Sequence, residues 1–383
     1  MRAATIVAAV CLACGGTAPA IAEGPHGPFS AGVSVPRMVQ GDHGEHRRAG
    51  LQSAGGAEAP QTPAAAPIQV ERTVYLMGTW ATLAVQAADR SAGLHALERM
   101  VRVIERTEAS LSTWRDDSVL GALNRQPVGE PFGLPPPLCG LWPRLVRWHR
   151  LTDGAFDPAV GRLVEAWGLR AGGSVAAPDV LRDVRAASGL EHFRFDTETC
   201  RVTRTADATL DAGAFGKGEA LRRLVHASAG GDPWMVDFGG QIAVGGKPAG
   251  AGWPVAIAHP ARRHQAALAL TLTAGSLATS AASERSVVVD GRPVAHILDP
   301  RTGQPIHRPE SVTVWHEDPL AADVLSTALY VMGVAEGLDY AERHGVAAVF
   351  LTPRPDSDTR PVTVRASRMF EARFPTVART ATH

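Results

Sequence analysis

Short apolar runs separated by glycine turns fill the middle of the chain and limit the folds it can adopt. Between Phe193 and Ala258, and again from Ala266 to Val314, runs of Val, Ile and Leu alternate with Gly or Asp-Gly turns. Asp290-Gly291 lies between SVVV and VAHIL, which is the pattern of a β-hairpin. Strands joined by such tight turns pair antiparallel. The sequence therefore predicts a largely antiparallel sheet.

Segments with helical periodicity lie before and after these strands. Leu94, Leu97, Val101 and Ile104 keep the spacing of one helical face, which predicts an amphipathic helix over residues 92–109. Similar patterns predict helices near residues 138–150, 159–167, 178–187, 218–228, 319–332 and 334–344. The segment from Val74 to Gln86 predicts extended structure interrupted at Gly78. This order indicates an α+β fold with mostly antiparallel sheets and packed helices.

The first 70 residues differ in composition from the rest of the chain. Arg2 precedes an apolar run over residues 3–14, and Ala20-Ile21-Ala22 supplies the small residues of a cleavage site. Residues 23–70 are rich in Gly, Pro and Ala, with Phe29 as their one aromatic residue. Such a segment buries too little apolar surface to offset the entropy of ordering it. We therefore expect a signal peptide at 1–22, a flexible tether at 23–70 and one folded unit at 71–383.

The predicted signal peptide implies Sec-type export to the periplasm. Cys11 and Cys14 lie inside the apolar run, so we interpret them as part of that peptide. A lipid anchor on Cys14 is the alternative, and we expect membrane association only if the chain is lipidated. Cys139 and Cys200 remain after cleavage, and the sequence leaves open whether they form a disulfide.

Charge and residue usage exclude one class of partner and mark three positions. The 38 Lys and Arg residues balance 38 Asp and Glu residues, which argues against a broad nucleic-acid-binding surface. Only Lys217 and Lys247 are lysines, so 38 − 2 = 36 of the basic residues are arginines. Asn124 is the only asparagine. In a chain with this bias, a lysine or an asparagine indicates a position where the residue type matters.

Two segments carry groups suited to a phosphate and to a metal ion. DAGAFGKGEALRRLV, which begins at Asp211, places three glycines before a predicted helix, where N–H groups and Lys217 can face an anion. Asp323 and Thr327 are four residues apart on one helix and offer oxygen ligands for Mg²⁺ or Ca²⁺. Each pattern also has a structural explanation. The first is compatible with a glycine turn beside an exposed lysine, and the second with a solvent-facing helix surface.

Two further segments offer carboxylates and a histidine. In TDGAFDPAVGRLVEAWG, which begins at Thr152, Asp157-Pro158 predicts the N-cap and first turn of a helix. Asp153 and Asp157 could also contact ribose or a phosphate-bound metal. His296 ends a predicted hairpin strand and precedes an Asp-Pro and Thr-Gly turn, so it is a candidate general base or ligand contact. A partly buried structural histidine is the alternative.

In order and spacing, these segments resemble the ApbE family of FAD:protein FMN transferases. The matching segments, from about residue 71 to 350, are LMGTWATL, LSTWRDDSVLGALN, TDGAFDPAVGRLVEAWG, LDAGAFGKG, VDFGGQIAVGG, ATS, HILDPRTGQP and AADVLSTALYVMG. Asn124 falls on the family's Leu-Asn position. The resemblance implies a T-fold-like architecture and an enzyme that cleaves FAD with release of AMP. It would leave FMN joined by a phosphoester bond to a Thr or Ser hydroxyl of another protein.

The resemblance also implies roles for individual residues. The residues that match FAD contacts are Met77, Trp114, Ala155, Phe156, Asp157, Asp211, Lys217 and His296. Asp323 and Thr327 match ligands of Mg²⁺, together with Ala214 through its backbone oxygen. His296, Asp323 and Lys217 are the implied catalytic groups, the first two as candidate bases for the acceptor hydroxyl. Ser326 stands where some relatives have an aspartate.

The implied partner is an acceptor flavoprotein, a membrane respiratory-complex subunit bearing a Ser/Thr-Gly-Ala-Thr-like segment. Two other functions remain open at the level of sequence. One is an FAD pyrophosphatase, in which water replaces the acceptor hydroxyl. The other is an FAD-binding accessory or maturation protein of a respiratory complex that carries out no chemistry.

Overall fold

The computed structural model describes residues 66–170, 175–247, 250, 252–282, 286–289, 291–354 and 362–375. The predicted signal peptide and most of the predicted tether lie outside these residues. The first strand begins at Ile68, three residues before the boundary that composition indicated at Glu71. From Pro67 onward the described residues form one compact unit.

Helices occur close to where the periodicity predicts them, and the long predicted ones agree within two residues at each end. The described helices are α1 (Arg90–Leu111), α2 (Val119–Arg125), α3 (Pro136–Leu151), α4 (Gly161–Ala166), α5 (Pro178–Ala187), α6 (Gly216–Ala227), α7 (Pro319–His344) and α8 (Arg368–Arg373). Neither α2 nor α8 was predicted from the sequence, because six or seven residues establish no helical period and neither segment has an Asp-Pro pair such as the one that prompted the prediction of α4.

The strands connect largely through short turns, as the glycine pattern indicates. The described strands are β1 (Ile68–Leu76), β2 (Thr79–Ala87), β3 (Pro131–Gly133), β4 (Phe193–Asp196), β5 (Arg201–Arg204), β6 (Trp234–Phe238), β7 (Gln241–Gly245), β8 (Trp253–Ala258), β9 (Ala266–Leu272), β10 (Gly275–Ala281), β11 (Ser286–Val289), β12 (Arg292–Ala295), β13 (Leu298–Asp299), β14 (Gln304–Pro305), β15 (Ser311–His316), β16 (Ala347–Pro353) and β17 (Val362–Ala366).

The largest sheet among the described residues has eight strands in the order β1-β2-β6-β7-β10-β15-β16-β17. Every neighbouring pair in it is antiparallel. The predicted hairpin of β11 and β12 is also present. The predicted α+β fold with mostly antiparallel sheets is therefore confirmed.

Both faces of this sheet are covered, as alternate residues of β6 illustrate. Val236 and Phe238 pack against α1 and α6 on one face, whereas Met235 lies on the other face beneath the β8–β9 hairpin. Because successive side chains of a strand point to opposite faces, a strand covered on both sides needs apolar residues throughout. This explains the continuous Val, Ile and Leu runs.

Helix α7 lies in the core and packs against β10 and β15. Gly333, with φ of 80°, interrupts it where two separate helices were predicted. With ψ of 178°, residue 333 has a backbone conformation that side chains of L-residues essentially do not adopt, so glycine is required there. Among the described helices, α7 alone is long and apolar enough to cross a membrane, yet 78% of its most apolar window is buried inside the protein. Its hydropathy therefore reflects its place in the core.

A smaller sheet in the order β3-β5-β4 packs with α2 and α3 through apolar residues that include Leu138, Trp142 and Val202. A disulfide between Cys139 and Cys200 joins α3 to the turn between β4 and β5 across 61 residues of sequence. The pairing that the sequence left open is thus present in the structure. It fixes the helix that leads into the segment beginning at Thr152.

The pH dependence of stability should carry a contribution from Asp237, near the end of β6. Burial raises the pKa of Asp237 from 3.8 to about 6, and the positive charge of Arg263 acts in the opposite direction. The folded state favours the protonated form of Asp237. This contribution to stability is therefore complete below pH 3.8 and is lost as the pH rises through about 6. We expect Asp237→Asn to abolish that loss.

Urea denaturation of both proteins between about pH 4 and pH 7 measures this effect. The free energy of unfolding of Asp237→Asn, relative to that of the wild type, should increase over this interval and level off above about pH 6. A difference that does not change with pH would contradict the assignment.

Candidate functional site

The start of α6 meets α7 at a buried carboxylate, Asp323, which is 4% exposed. The N–H of Gly218 donates to Asp323 Oδ2 at 2.8 Å, and Lys217 Nζ lies 3.9 Å from Oδ1. A Cβ on Gly218 would lie 2.7 Å from the Asp323 Cβ and 2.8 Å from the carbonyl oxygen of Pro319. Glycine at 218 therefore allows the two helices to approach this closely, and the approach brings Lys217 and Asp323 together.

Thr327 lies one helical turn after Asp323 and is partly buried. Its Oγ1 donates to the carbonyl oxygen of Asp323 at 3.2 Å. Ser326 Oγ donates to the same carbonyl at 2.9 Å and shares a hydrogen bond of 3.0 Å with Ser280 Oγ. The solvent-facing explanation of this pair is wrong for Asp323, because α6 and the central sheet enclose the start of α7.

Residues 211–216, which we call the glycine-rich loop, lead into α6. The Asp211 side chain holds this loop, and Met77 lies beside it. Asp211 Oδ1 accepts the N–H of Gly213 at 2.7 Å, and Ala214 is partly buried against the core. Met77 lies in the turn between β1 and β2, and its N–H donates to Glu108 at 3.0 Å. The Met77 Cε would be 3.1 Å from a Cβ on Gly216. Met77, predicted to line the ligand pocket, thus lies directly beside the glycine-rich loop.

Arg170 connects two of the predicted ligand contacts. Trp114 is 70% exposed, and the Arg170 Cζ lies 5.7 Å from the centre of its indole ring. The same guanidinium donates to Asp211 Oδ2. Sequence reasoning missed Arg170, because one of 36 arginines carries no local signal and its partners are distant along the chain.

Asn124 holds the chain immediately before Asp211. Its side-chain Oδ1 accepts the N–H of Leu210 at 2.8 Å, and its Nδ2 donates to the carbonyl of Leu210 at 2.9 Å. This pair of bonds needs one donor and one acceptor on the same side chain, which an aspartate lacks. The only asparagine of the chain therefore fixes the entry to the glycine-rich loop.

Ala155, Phe156 and Asp157 are buried beside the same loop. Asp157 accepts N–H groups of Ala159 at 2.7 Å and Leu190 at 3.1 Å. The predicted N-cap at Asp157 is wrong: α4 begins at Gly161 after Val160, because both Asp157 oxygens are occupied by these turns. The carbonyl of Pro158 accepts the N–H of Asp211 at 2.7 Å, which places this segment against the loop.

His149 and Glu191 surround Asp157. Burial raises the pKa of Asp157, and nearby His149 acts in the opposite direction. Ligand atoms of His149, Asp157 and Glu191 all lie within 4.8 Å of one another, so these residues form a second arrangement capable of holding a metal ion. Asp157 already accepts two backbone N–H groups, which favours a scaffolding role.

His296 is partly buried between β12 and β13. The turn that follows it is joined to α4, since Trp167 Nε1 donates to the carbonyl of Gly303 at 2.7 Å. The turn after His296 and the end of the segment beginning at Thr152 are thereby adjacent. Lys217 lies 3.9 Å from Asp323. His296 is on a different part of the fold, between β12 and β13.

The close approach at Gly218 gives a direct stability prediction. A Cβ there would separate α6 from α7, so we expect Gly218→Ala to lower the free energy of unfolding by about 1–3 kcal/mol. Gly140→Ala in α3 is the matched control, because no neighbouring heavy atom lies within 4 Å of the added Cβ. Urea denaturation compares the two variants, and equal stability would contradict the described junction.

The chain resembles proteins of one family in both sequence and fold. Residues 77–350 match the model of the ApbE family. The FAD:protein FMN transferase of Vibrio cholerae is 31% identical over 266 residues, which are 67% of this chain and 78% of that protein. The enzyme of the same name from Treponema pallidum is 31% identical over 334 residues, 80% of this chain and 91% of its own length.

Solved structures agree with these sequence relatives. The apo flavinyl transferase ApbE of Pseudomonas stutzeri matches with a TM-score of 0.69 and 27% identity, over 80% of this chain and 97% of that one. The ApbE protein of Thermotoga maritima matches with a TM-score of 0.71 and 26% identity, over 80% and 99%. Because sequence and fold agree over most of the chain, this protein belongs to the ApbE family of FAD:protein FMN transferases.

Proposed function

We propose that this flavin transferase depends on Mg²⁺, cleaves the pyrophosphate of FAD and releases AMP. FMN becomes joined through a phosphoester bond to a Thr or Ser hydroxyl of an acceptor flavoprotein. The observation that carries the proposal is the buried Asp323 at the junction of α6 and α7, with Lys217 Nζ 3.9 Å from its Oδ1. A carboxylate and an ammonium group so placed can serve a metal ion and a phosphate together.

The donor atoms around Asp323 fit a hard divalent cation. Asp323 Oδ2 accepts a hydrogen bond from the N–H of Gly218, while Oδ1 faces the ammonium group of Lys217. We propose Asp323, Thr327 and the carbonyl oxygen of Ala214 as the Mg²⁺ ligands, since carboxylate, hydroxyl and carbonyl oxygens suit this ion. Bound there, Mg²⁺ would neutralise negative charge on the phosphoryl oxygens. Ser326 Oγ already forms hydrogen bonds with Ser280 and with the carbonyl of Asp323, so Ser326 is left out of the proposed ligand set.

The other proposed roles concern FAD. The proposed FAD contacts are Met77, Trp114, Ala155, Phe156, Asp157, Asp211, Lys217 and His296. Lys217 and the N–H groups at the start of α6 would hold the pyrophosphate, because a helix N-terminus favours negative charge. Ala155 and Phe156 are fully buried and would act by shaping the pocket wall. Asp157 and Asp211 already bond backbone N–H groups and would keep that wall in position.

In the transfer step, the acceptor hydroxyl oxygen forms a bond to the FMN phosphorus as the bond to the AMP oxygen breaks. AMP leaves with that bridging oxygen, and the hydroxyl proton passes to a base on the protein. We propose His296 as this base rather than Asp323. The oxygens of Asp323 are already engaged, because Oδ2 accepts the N–H of Gly218, Oδ1 faces Lys217 and the carboxylate is a proposed metal ligand.

We further propose that the mature chain acts in the periplasm after Sec-type export. The disulfide between Cys139 and Cys200 supports this, because disulfides persist in oxidising compartments. The proposed acceptor is a membrane respiratory-complex subunit with a Ser/Thr-Gly-Ala-Thr-like segment. Membrane association of the enzyme itself would require lipidation at Cys14.

Incubation of the purified mature chain with FAD, Mg²⁺ and such an acceptor domain tests the proposal. We expect covalent flavin fluorescence on the acceptor, a mass increase equal to that of FMN, and release of AMP. Asp323→Asn keeps the shape of the side chain but removes its charge, so it should lower turnover by about 10²-fold or more. Asp339→Asn is the matched control, because Asp339 lies exposed near the other end of α7.

Three results would contradict the proposal in different ways. Hydrolysis of FAD with no labelled acceptor would indicate a pyrophosphatase. FAD that copurifies without either reaction would indicate a binding protein. Unchanged turnover in Asp323→Asn would exclude this carboxylate as a metal ligand.

A further inference from the structure

A pocket lined by four arginines lies beside the proposed FAD contacts. Arg125 on α2, Arg162 on α4, Arg170 after α4 and Arg204 on β5 line it, together with Thr209. We call these five residues the arginine pocket. The space not filled by atoms is about 980 Å³, part of which is open to solvent. Arg170 connects this pocket to Trp114 and Asp211.

Positive charge exceeds negative charge among the residues that line this pocket. Glu165 and Asp207 are its two carboxylates, and arginines share both of them. Asp207 bonds to Arg162 and lies 3.5 Å from Arg204, while Glu165 lies 3.3 Å from Arg162 and 3.9 Å from Arg170. The lining itself carries two more guanidinium groups than carboxylates, and just outside it Arg170 bonds to Asp211 and Arg125 lies 4.0 Å from Asp116.

Arg204 is the most constrained member of the group. It is 4% exposed, and its two terminal nitrogens donate to the carbonyls of Ala208 at 2.8 Å and Gln126 at 2.6 Å. Burial lowers the pKa of Arg204. Asp207 opposes that shift and Arg162 adds to it. The guanidinium is thus held rigidly by neutral groups, and one shared carboxylate balances its charge.

Three buried donor atoms of the arginine pocket lack a hydrogen-bond partner among the described residues. They are Nε of Arg162, Nε of Arg204 and Oγ1 of Thr209. Arg204 and Thr209 are 4% and 7% exposed, so water does not readily satisfy them. Unpaired buried donors are costly, and those of a charged group are the most costly. None of the three atoms has accessible surface in this structure, so an anion with several oxygens would satisfy them once these side chains turn toward the pocket.

We propose that the arginine pocket binds a phosphate group and forms an anion site separate from the glycine-rich loop. Guanidinium groups match the geometry of phosphate oxygens through paired N–H bonds. A phosphate monoester carries about −1.5 to −2 charges at neutral pH, so it can compete with the half-exposed carboxylates of Glu165 and Asp207 for these guanidinium groups. Inorganic phosphate and the phosphate of AMP share this chemistry. If the ligand is AMP, the inference rests on the proposed function, whereas binding of inorganic phosphate does not.

Isothermal titration of the full mature chain with inorganic phosphate, and separately with AMP, tests this site. The buffer contains EDTA at constant ionic strength and no FAD, so neither the proposed metal site nor flavin transfer affects the result. We expect saturable binding of at least one anion. The tighter binder identifies the source, free phosphate or nucleotide.

Variants locate the binding. Arg162→Gln should weaken it about tenfold, the loss expected for one charge-assisted hydrogen bond. Thr209→Val removes one hydroxyl at nearly constant shape and provides a second test if Arg162→Gln is poorly folded. Arg182→Gln is the matched control, since Arg182 is exposed on α5 and pairs with its neighbour Asp183. Lys217→Ala should leave this binding unchanged.

Two sets of results would overturn the inference. Absence of saturable binding by either anion would show that these arginines form a purely structural ion-pair network. Binding that survives in Arg162→Gln and Thr209→Val, or that is lost in Lys217→Ala, would place the anion at the glycine-rich loop. Failure of flavin transfer would not affect the outcome, because the titration needs neither FAD nor an acceptor.

Discussion

The contact between Gly218 and Asp323 is the interaction on which the rest of the site depends. Burying a carboxylate is costly unless it is hydrogen-bonded and close to a positive charge. Here the N–H of Gly218 and the ammonium group of Lys217 meet both requirements. They can do so only because residue 218 has no side chain. One glycine therefore lets α6 present its N-terminus and Lys217 to the carboxyl group of Asp323 on the core helix α7.

The segments that resemble the family are far apart in sequence, and bonds to the backbone join them in the structure. Asn124 clamps Leu210 just before the glycine-rich loop, and the carbonyl of Pro158 accepts the N–H of Asp211. Trp167 in turn bonds to Gly303 in the turn that follows His296. Bonds from side chains to a backbone depend on residue type and on spacing together. This explains why the serial order of these segments carries more information than any one of them.

The sequence predicts well the features that depend on local periodicity, and it predicts poorly those that depend on distant partners. The helix over residues 92–109 is found as α1, extended by two residues at each end, because its buried face repeats regularly. Lys217 and Asp323 were recognised through resemblance, but the burial of Asp323 follows from how α6 packs, which no local pattern shows. The sequence predicts Asp157 as an N-cap, but its carboxylate accepts the N–H of Leu190, which lies 33 residues further along the chain. Arg170 acts only through such distant contacts.

The proposed metal ion is held by Asp323, the carboxylate buried between α6 and α7. Mn²⁺ takes the same oxygen ligands as Mg²⁺ and gives an anomalous X-ray signal, so diffraction from crystals soaked in Mn²⁺ tests the claim most directly. We predict an anomalous peak at coordination distance from Asp323 and Thr327. A peak at His149, Asp157 and Glu191 instead, or none at saturating Mn²⁺, would contradict the account.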